Sequence, residues 1–451
     1  MTIAVEEPRR RGLVSLSVYL FEQLMPDPFV IAIALTVFVA LLAALLAPHG
    51  TPEIILSSWY AGIFNILGFA FQMILILVTG HVLAHAPPVQ RGLKAIVALA
   101  KTPAQAVVLT FLLAALASWL NWGFGLVIGA LLAREVAKRM RLDFAWLVAA
   151  AYSGWVIWAS GISGSIALAQ ATHGNALNIV EKLTGNLIGF DQTIFAPVNV
   201  IPTLLIVIAV PIAFLAIRPA EADLIAFTPT DEAPAASGTG KRDGSIAQRL
   251  EQSMIGSLLI AAAGAAYLVM TWSKTGVSLD INAMIFLFLI FGLALHGTPV
   301  AYVAAMRNAA KQTGSMMLQY PIYGGIMGIM TSTGLAEVIS KYFVAFSTTH
   351  SLPFWSYIAS LFITFLVPSG GGHWAVQGPF VIPAAVSLHA SIPATTLAVA
   401  MGEDVANMLQ PFWALPVVAM AGIGIQRVLG YTTVTFLVAG VINGAALLLL
   451  A

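Results

Sequence analysis

Cysteine is absent, which excludes disulfides, thiolate metal sites and thiol catalysis. Charge is almost as scarce. Asp, Glu, Lys and Arg make up 9% of the 451 residues, against about 25% in soluble domains. The formal net charge is +1, so no basic surface for nucleic acid follows from the balance. What is present is apolar: 59% of residues are hydrophobic and the mean hydropathy is +0.93. Repeated apolar runs approach the roughly 20 residues that a spanning helix needs. A soluble domain is thereby excluded, and an all-α polytopic membrane protein is predicted. Arg9, Arg10 and Arg11 precede the first run, near Phe29. That run is long enough to span and has no good small-residue cleavage site, so an uncleaved first helix is expected and not a signal peptide.

Two glycine-rich stretches interrupt the apolar pattern. Pro368-Ser369-Gly370-Gly371-Gly372-His373-Trp374-Ala375-Val376-Gln377-Gly378-Pro379 lies between apolar runs too short to cross a bilayer, and Asn121-Trp122-Gly123-Phe124-Gly125 lies between another such pair. Bare backbone in hydrocarbon costs several kcal/mol per unpaired group unless it is buried in protein or lines a cavity. Each stretch is therefore expected to be the tip of a re-entrant hairpin, with three glycines breaking the helix in the second. Nine full crossings are expected besides, beginning near Phe29, Gly68, Phe144, Ile194, Met254, Ile281, Met316, Pro393 and Tyr431. Two of them are broken, at Ser160-Gly161-Ile162-Ser163-Gly164-Ser165 and at Gly402 to Asn407. Leu13 to Gln23 and Glu53 to Leu67 read as interfacial.

Charge placement tests this layout. With the N-terminus in the cytoplasm and each hairpin entering and leaving on one side, all of the 20 Lys and Arg fall inside except Lys182, Lys274 and Lys341. The positive-inside rule expects that bias, and the layout puts the C-terminus in the periplasm.

The two halves share an order of features. His49-Gly50-Thr51-Pro52 and His296-Gly297-Thr298-Pro299 each end a crossing. Each is followed by an amphipathic stretch, a crossing ending in Thr-Gly (Thr79-Gly80, Thr333-Gly334), a hairpin, a broken crossing and a final crossing. The copies are expected at 28–217 and 281–451, after an N-terminal segment 1–27, with a cytoplasmic linker at 218–251 and an extra crossing at 252–272. Five crossings separate the starts of the copies, so the second is inverted. Inverted repeats whose broken helices meet near the midplane mark secondary transporters.

Four polar breaks would then converge. Half-helix N-termini offer free N–H groups and partial positive charge to a carboxylate. The expected substrate site comprises Asn121, Trp122, Gly123, Ser160, Ser163, Ser165, Ser369, Gly370, Gly371, Gly372, His373, Trp374 and Gln377. No Lys or Arg lies in any break, which favours a small monoanion over a di- or tricarboxylate. Glu403 and Asp404 stand at membrane depth, where a carboxylate is a functional candidate by default. With Asn407 they are the expected ion-coupling group, Asp404 favoured because Asn407 follows it at i,i+3. A Na⁺ near Ser160, Gly161 and Asp404 is one form of that coupling and H⁺ is the other; no other cofactor is expected. His373 either binds the substrate, carries the proton or is structural. His49, His81, His85 and His296 read as interfacial.

The Pro-Ser-Gly-Gly-Gly-X-Trp-Ala-Val-Gln-Gly-Pro stretch at 368–379, with Ser160 to Ser165, Gly402-Glu403-Asp404 and Asn407-Met408-Leu409-Gln410-Pro411, resembles the short-chain fatty acid transporter (AtoE-type) family over nearly the whole chain. The resemblance implies uptake of acids such as acetoacetate or butyrate across the bacterial inner membrane. It also implies kinship with the ion-transporter superfamily, whose hairpins and broken helices form a transport domain that slides as an elevator against a dimeric scaffold. Here these would be residues 104–217 plus 354–451 and residues 28–103 plus 252–353. The chain departs from the pattern at His373, where Gln is expected, and it lacks the Ser-Asn-Thr tip of the sodium-coupled dicarboxylate relatives. Three other functions fit parts of the pattern: a dicarboxylate or amino-acid transporter on the same fold, an uncoupled anion channel, and an intramembrane hydrolase using Ser163 with His373 or His173. The last leaves the duplicated layout unexplained, so no enzyme activity is expected.

Overall fold

The structure, a computed structural model, describes residues 28–219 and 245–451, apart from 411, 415, 416 and 419–422. The expected surface segment Leu13 to Gln23 and most of the linker fall outside the described residues. Among the described residues every regular element is helical. The chain runs through α1 (Pro28–Leu46), α2 (Pro52–Asn65), α3 (Leu67–Ala84), α4 (Pro87–Val97), α5 (Pro103–Leu120), α6 (Trp122–Ala137) and α7 (Phe144–Ser153). A 3₁₀ turn (Gly154–Ile157) follows, then α8 (Ser165–Ala171), α9 (Ile179–Thr184), α10 (Pro197–Ala216), α11 (Ile246–Glu251), α12 (Met254–Thr275) and α13 (Ile281–His296). The remainder is α14 (Pro299–Ala310), α15 (Gly314–Thr333), α16 (Leu335–Phe346), α17 (Leu352–Leu366), α18 (Gly370–Ser387), α19 (Ile392–Ala406) and α20 (Ile425–Leu450).

Capping chemistry explains many of these starts. Pro opens α2, α4, α5, α10 and α14, where its missing N–H would have been unpaired anyway. Thr51, Thr102, Asn121, Asp143 and Thr298 cap helices with side-chain oxygens. The two His-Gly-Thr-Pro tetrapeptides fold alike: Thr51 N donates to His49 O and Thr298 N to His296 O, both at 2.9 Å.

Among the described residues six helices are long and apolar enough to cross a membrane, or seven if α15 and α16, bent by 77° at Gly334, count as one broken span. Helices α2 and α3 run on as one 33-residue apolar span, and α7 with its 3₁₀ turn, α13 and α17 are shorter apolar helices. Large apolar side chains stand exposed on α1, α10, α12 and α20, among them Leu45, Ile212, Leu259, Val269 and Val441. Each such side chain left in water forgoes about 1.5–3 kcal/mol, so these faces belong in hydrocarbon. The interior is formed by α7, α18 and α19, whose residues are almost all buried.

Helix pairing follows small residues. Helix α2, expected at the membrane surface, packs along α15. A Cβ on Gly62 would meet Gly324 O at 2.3 Å, one on Gly324 would meet Gly62 O at 2.5 Å, and one on Gly328 would meet Ser58 O at 2.2 Å. Glycines at such crossings let backbones approach closely. Further pairs are α1 with α15, α3 with α13, α14, α6 and α15, α18 with α15 and α16, α4 with α6, α5 with α7, α17 with α19, and α10 with α20.

Three boundaries differ from the sequence expectation. Helix α3 does not end at Thr79-Gly80 but runs on to Ala84. Gly80 is there for close approach, since a Cβ would lie 2.1 Å from Asn121 Oδ1 and 2.7 Å from Phe124 N. Gly370, Gly371 and Gly372 do not break a helix but form the first turn of α18, and the break is confined to Val367 to Ser369. Glu403 and Asp404 sit inside the last turn of α19, so that interruption begins at Asn407.

Candidate functional site

One residue, Asn121, reverses the chain between α5 and α6. In extended conformation (φ −154°, ψ 121°) it ends one helix and caps the next. Its Oδ1 accepts from Phe124 N at 2.8 Å and its Nδ2 donates to Ile76 O at 3.2 Å, pinning the tip to α3. Gly123 lies against Leu77. At the second tip Ser369 is likewise extended (φ −157°, ψ 117°) but gives α18 no side-chain cap. The first N–H groups of α18 therefore lack both intrahelical acceptors and a capping oxygen. Each glycine of that turn faces a different neighbour. A Cβ on Gly370 would strike Ser165 Oγ and Trp158, with Glu403 Oε2 at 3.3 Å; one on Gly371 would strike Phe69 and Tyr320; one on Gly372 would strike Tyr323.

The broken helix α7 to α8 is held from two sides. Asp404 Oδ1 accepts from Ala159 N at 3.0 Å and Oδ2 accepts from Ser160 Oγ at 3.3 Å. Asn199 Nδ2 donates to Ser160 O at 3.0 Å. Trp122 N donates to Ser163 Oγ at 2.9 Å, and Ile162 N to Trp119 O at 2.9 Å. Gly161 sits against the Trp119 backbone, where no Cβ fits. The Asp404 carboxylate thus bridges the interrupted backbone.

Between the second tip and this break lies a small cavity lined by Met73, Trp122, Trp155, Trp158, Ser165, Met316, Tyr320, Ser369, Gly370 and Trp413. Its volume of about 10 Å³ holds about one water. Four indoles wall it. Trp155 stacks on Trp158 with centroids 5.2 Å apart, and Trp122 meets Trp158 at 6.3 Å and Trp413 at 5.6 Å. Two indole N–H groups serve the fold: Trp155 donates to Trp122 O at 2.9 Å and Trp413 to Pro368 O at 2.8 Å. The other two, Trp122 Nε1 and Trp158 Nε1, are buried and make no hydrogen bond among the described residues; the same holds for Ser165 Oγ. Buried polar groups are nearly always satisfied, and these three line one cavity with their hydrogen-bonding capacity unused. Neither oxygen of Glu403 forms a hydrogen bond of good geometry, although the Asn407 amide interacts with it.

The sequence-expected residues divide accordingly. Trp122, Ser165, Ser369 and Gly370 line the cavity. Ser160 and Ser163 hold the break, and Asn121 holds its tip. His373 is buried between α17 and α18, with Nδ1 at 3.2 Å from Thr364 Oγ1 and Nε2 at 3.2 Å from Ser360 Oγ and 2.6 Å from Gln377 Oε1. Gln377 Nε2 in turn donates to Ser356 O at 2.8 Å. Trp374 donates its indole N–H to Leu177 O at 2.9 Å. His373 and Gln377 tie the second hairpin together, Trp374 ties it to the segment before α9, and all three lie outside the cavity lining. His173, considered with Ser163, is bonded to Glu181 instead. Met73, Trp155, Trp158, Met316, Tyr320 and Trp413 were not expected. The i,i+3 pair Trp155 and Trp158, just before the Ser160 break, was the available signal. Among the described residues no group of three or more His, Asp and Glu is placed to hold a metal ion.

The fold and site together define a multi-pass membrane protein whose interrupted helices enclose an aromatic pocket. Residues 11–450 match the family model described as short chain fatty acid transporter, and the chain belongs to that family. It is 41% identical over 422 residues to an Escherichia coli (strain K12) protein, covering 93% of this chain and 94% of that one. It is 40% identical over 413 residues to one from Haemophilus influenzae, covering 90% and 92%. Both relatives carry the name "Putative short-chain fatty acid transporter". Among solved structures it resembles the Alcanivorax borkumensis YdaH transporter (TM-score 0.63, 16% identity, covering 93% of this chain and 98% of that one). It also resembles Neisseria gonorrhoeae MtrF, from a class of antimetabolite efflux pumps (TM-score 0.50, 14% identity, covering 96% and 97%). At these identities the structural likeness concerns the fold alone.

Proposed function

We propose that the chain is a secondary active transporter that takes up short-chain monocarboxylates, acetoacetate and butyrate among them, across the bacterial inner membrane. The observation that carries this reading is the convergence of Trp122 Nε1, Trp158 Nε1, Ser165 Oγ and the uncapped start of α18 on one indole-walled cavity. Neutral donors and helix amides suit a single carboxylate, and Trp155, Trp413, Met73 and Met316 offer the short tail an apolar wall. The cavity is contracted, so binding requires these walls to part.

The paired packing supports two inverted copies. Exchanging α1 for α13, α2 for α14, α3 for α15, α4 for α16, α5 for α17, α6 for α18 and α7 for α19 turns the contact α1–α15 into α13–α3. The same exchange turns α2–α15 into α14–α3, α3–α6 into α15–α18, α4–α6 into α16–α18, and α5–α7 into α17–α19. In this reading α5–α6 and α17–α18 are re-entrant hairpins. The moving unit is 104–217 plus 354–451, sliding on a scaffold of 28–103 plus 252–353 that pairs as a homodimer. The N-terminus is cytoplasmic and the C-terminus periplasmic. Glycine against aromatic and apolar surface at Gly371–Phe69, Gly372–Tyr323 and Gly123–Leu77 suits a sliding contact.

For coupling, the two acids take different parts. Asp404 is engaged by the Ala159 and Ser160 donors, whereas Glu403 faces Gly370 with the Asn407 amide as its neighbour and no cation beside it. An unpaired charge at membrane depth costs several kcal/mol, and a proton removes that cost. Glu403 is accordingly assigned the coupled proton, and Asp404 the positioning of the break. The test is uptake into proteoliposomes of labelled C2 to C6 acids, with pH and Na⁺ gradients imposed separately. Accumulation of butyrate or acetoacetate driven by the pH gradient is expected. No uptake under either gradient would overturn the assignment, and a Na⁺ requirement at constant pH would move the coupling ion away from Glu403.

A further inference from the structure

A second, larger cavity lies outside the site described so far. It measures about 340 Å³ and separates two blocks. One wall is α2, α15 and α16, contributing Ser58, Asn65, Thr331 and Glu337; the other is α9 and α18, contributing Lys182, Pro379 and Pro383. Each wall is internally fastened, the first by the Gly62–Gly324–Gly328 crossing, the second by Trp374 Nε1 on Leu177 O and by Ile179 against Gly378. The volume falls within the usual range for small-molecule sites, about 300–1,000 Å³.

Lys182 is the single Lys or Arg in this lining. It donates one hydrogen bond, to Ala176 O, and among the described residues no carboxylate lies within ion-pair distance of it. The opposing acid, Glu337, is placed to serve its own helix. It stands in the first turn of α16, and its Oε2 is 3.6 Å from where a Cβ of Gly334 would be. There it complements the helix dipole. The crevice and the indole-walled cavity share two walls. From Thr331 back to Tyr320 on α15 is about 16 Å of helix, and from Pro383 back to Gly370 on α18 about 20 Å. The seam between them carries Gly371 and Gly372 against Tyr320 and Tyr323.

We propose that this crevice is an outer, low-affinity site for small carboxylates, in which Lys182 collects the anion before it passes along the α15–α18 seam to the indole-walled cavity. The proposal rests on the transport reading above. On the proposed topology Lys182 faces the periplasm, where only Lys274 and Lys341 are otherwise positive, so a lone lysine there has an unusual influence on an arriving anion. It supplies attraction without the deep binding that would trap the substrate.

The test measures initial uptake of labelled butyrate and acetoacetate by wild type, Lys182→Gln, Lys182→Arg and Glu337→Gln in proteoliposomes. It is run at ionic strengths of about 0.01 M and about 1 M, where the Debye length is about 30 and 3 Å. Lys182→Gln is expected to raise KM about five-fold at low salt, to leave Vmax unchanged and to match wild type at high salt. Lys182→Arg is expected to behave as wild type, and Glu337→Gln to lower KM or leave it unchanged. A KM in Lys182→Gln equal to wild type at low salt overturns the proposal. So does a loss of equal size at both salt concentrations, because that marks a structural role through Ala176. A Glu337→Gln variant that reproduces the Lys182→Gln defect overturns it in favour of a charge pair that closes the crevice. If wild type takes up neither acid, the transport reading itself fails and the outer site with it.

Discussion

Removing an idle indole N–H should weaken substrate binding without weakening the protein, and Trp122→Phe isolates that effect. Trp122 Nε1 makes no hydrogen bond among the described residues, so its loss strands no partner there. A Phe ring keeps an aromatic wall against Trp158 and Trp413, 6.3 and 5.6 Å away. In the loaded site that N–H would donate to a carboxylate, and hydrogen bonds to charged groups contribute about 1.5–3 kcal/mol. The expected loss of affinity is therefore about 10- to 150-fold. In the unloaded protein an unsatisfied buried donor costs about 1–3 kcal/mol, which its removal relieves while the smaller ring gives up some packing. The midpoint of thermal unfolding should change little. Trp158→Phe should behave the same way. Trp155→Phe should do the reverse: its Nε1 serves Trp122 O at 2.9 Å, so stability should fall by about 1–3 kcal/mol with a smaller effect on affinity. Concentration-dependent counterflow in proteoliposomes gives the affinity, and thermal unfolding in detergent gives the stability. If Trp122→Phe and Trp158→Phe both keep wild-type affinity, the carboxylate is not held where the idle donors converge.

Other substitutions probe other parts. Glu403→Gln should abolish the response of uptake to a pH gradient while exchange of preloaded acid persists; unchanged pH-driven accumulation would remove Glu403 from coupling. Asp404→Ala should cost about 1–3 kcal/mol for each of the two donors it strands, Ala159 N and Ser160 Oγ, measured as lower yield and a lower unfolding midpoint. Gly324→Ala should lower stability by about 1–3 kcal/mol through overpacking, since its Cβ would meet Gly62 O and Ile66 at 2.5 Å; an unchanged midpoint would mean that α2 and α15 separate readily. His373→Ala should lower stability by about 1–3 kcal/mol by stranding Gln377 Oε1, whereas the Ser360 and Thr364 hydroxyls keep their bonds to Val399 O and Ser360 O. His373→Gln, which still donates and accepts, should transport. If His373→Ala folds and transports normally, the histidine is not the staple described.

Much of this arrangement was legible in the chain. The hairpin tip at Asn121 was readable because Asn is a strong helix cap and glycines follow it. The break at Ser160 to Ser165 was readable because two glycines among serines cannot hold a helix in hydrocarbon. The duplicated His-Gly-Thr-Pro was readable because Thr-Pro is a helix start, and both copies fold as one. What was hidden depended on contact between distant segments. Gly370 to Gly372 read as a break because glycine is a poor helix former, but they are glycine so that Trp158, Phe69 and Tyr323 can approach. Adjacent acids on a helix point about 100° apart, and nothing local says which one meets Ser160. Glu403 and Asp404 were therefore separable only once α19 was seen beside the break. Trp413 and Tyr320 join the site from segments about 90 residues apart, with no shared motif.

The most direct measurement is the position of a bound acid. A structure of the protein with 2-bromobutyrate, the bromine located by anomalous scattering, should place the carboxylate within hydrogen-bond distance of Trp122 Nε1, Trp158 Nε1 and Ser165 Oγ, with the bromine against Trp413 or Met316. A carboxylate bound elsewhere in a protein that transports 2-bromobutyrate would contradict the account.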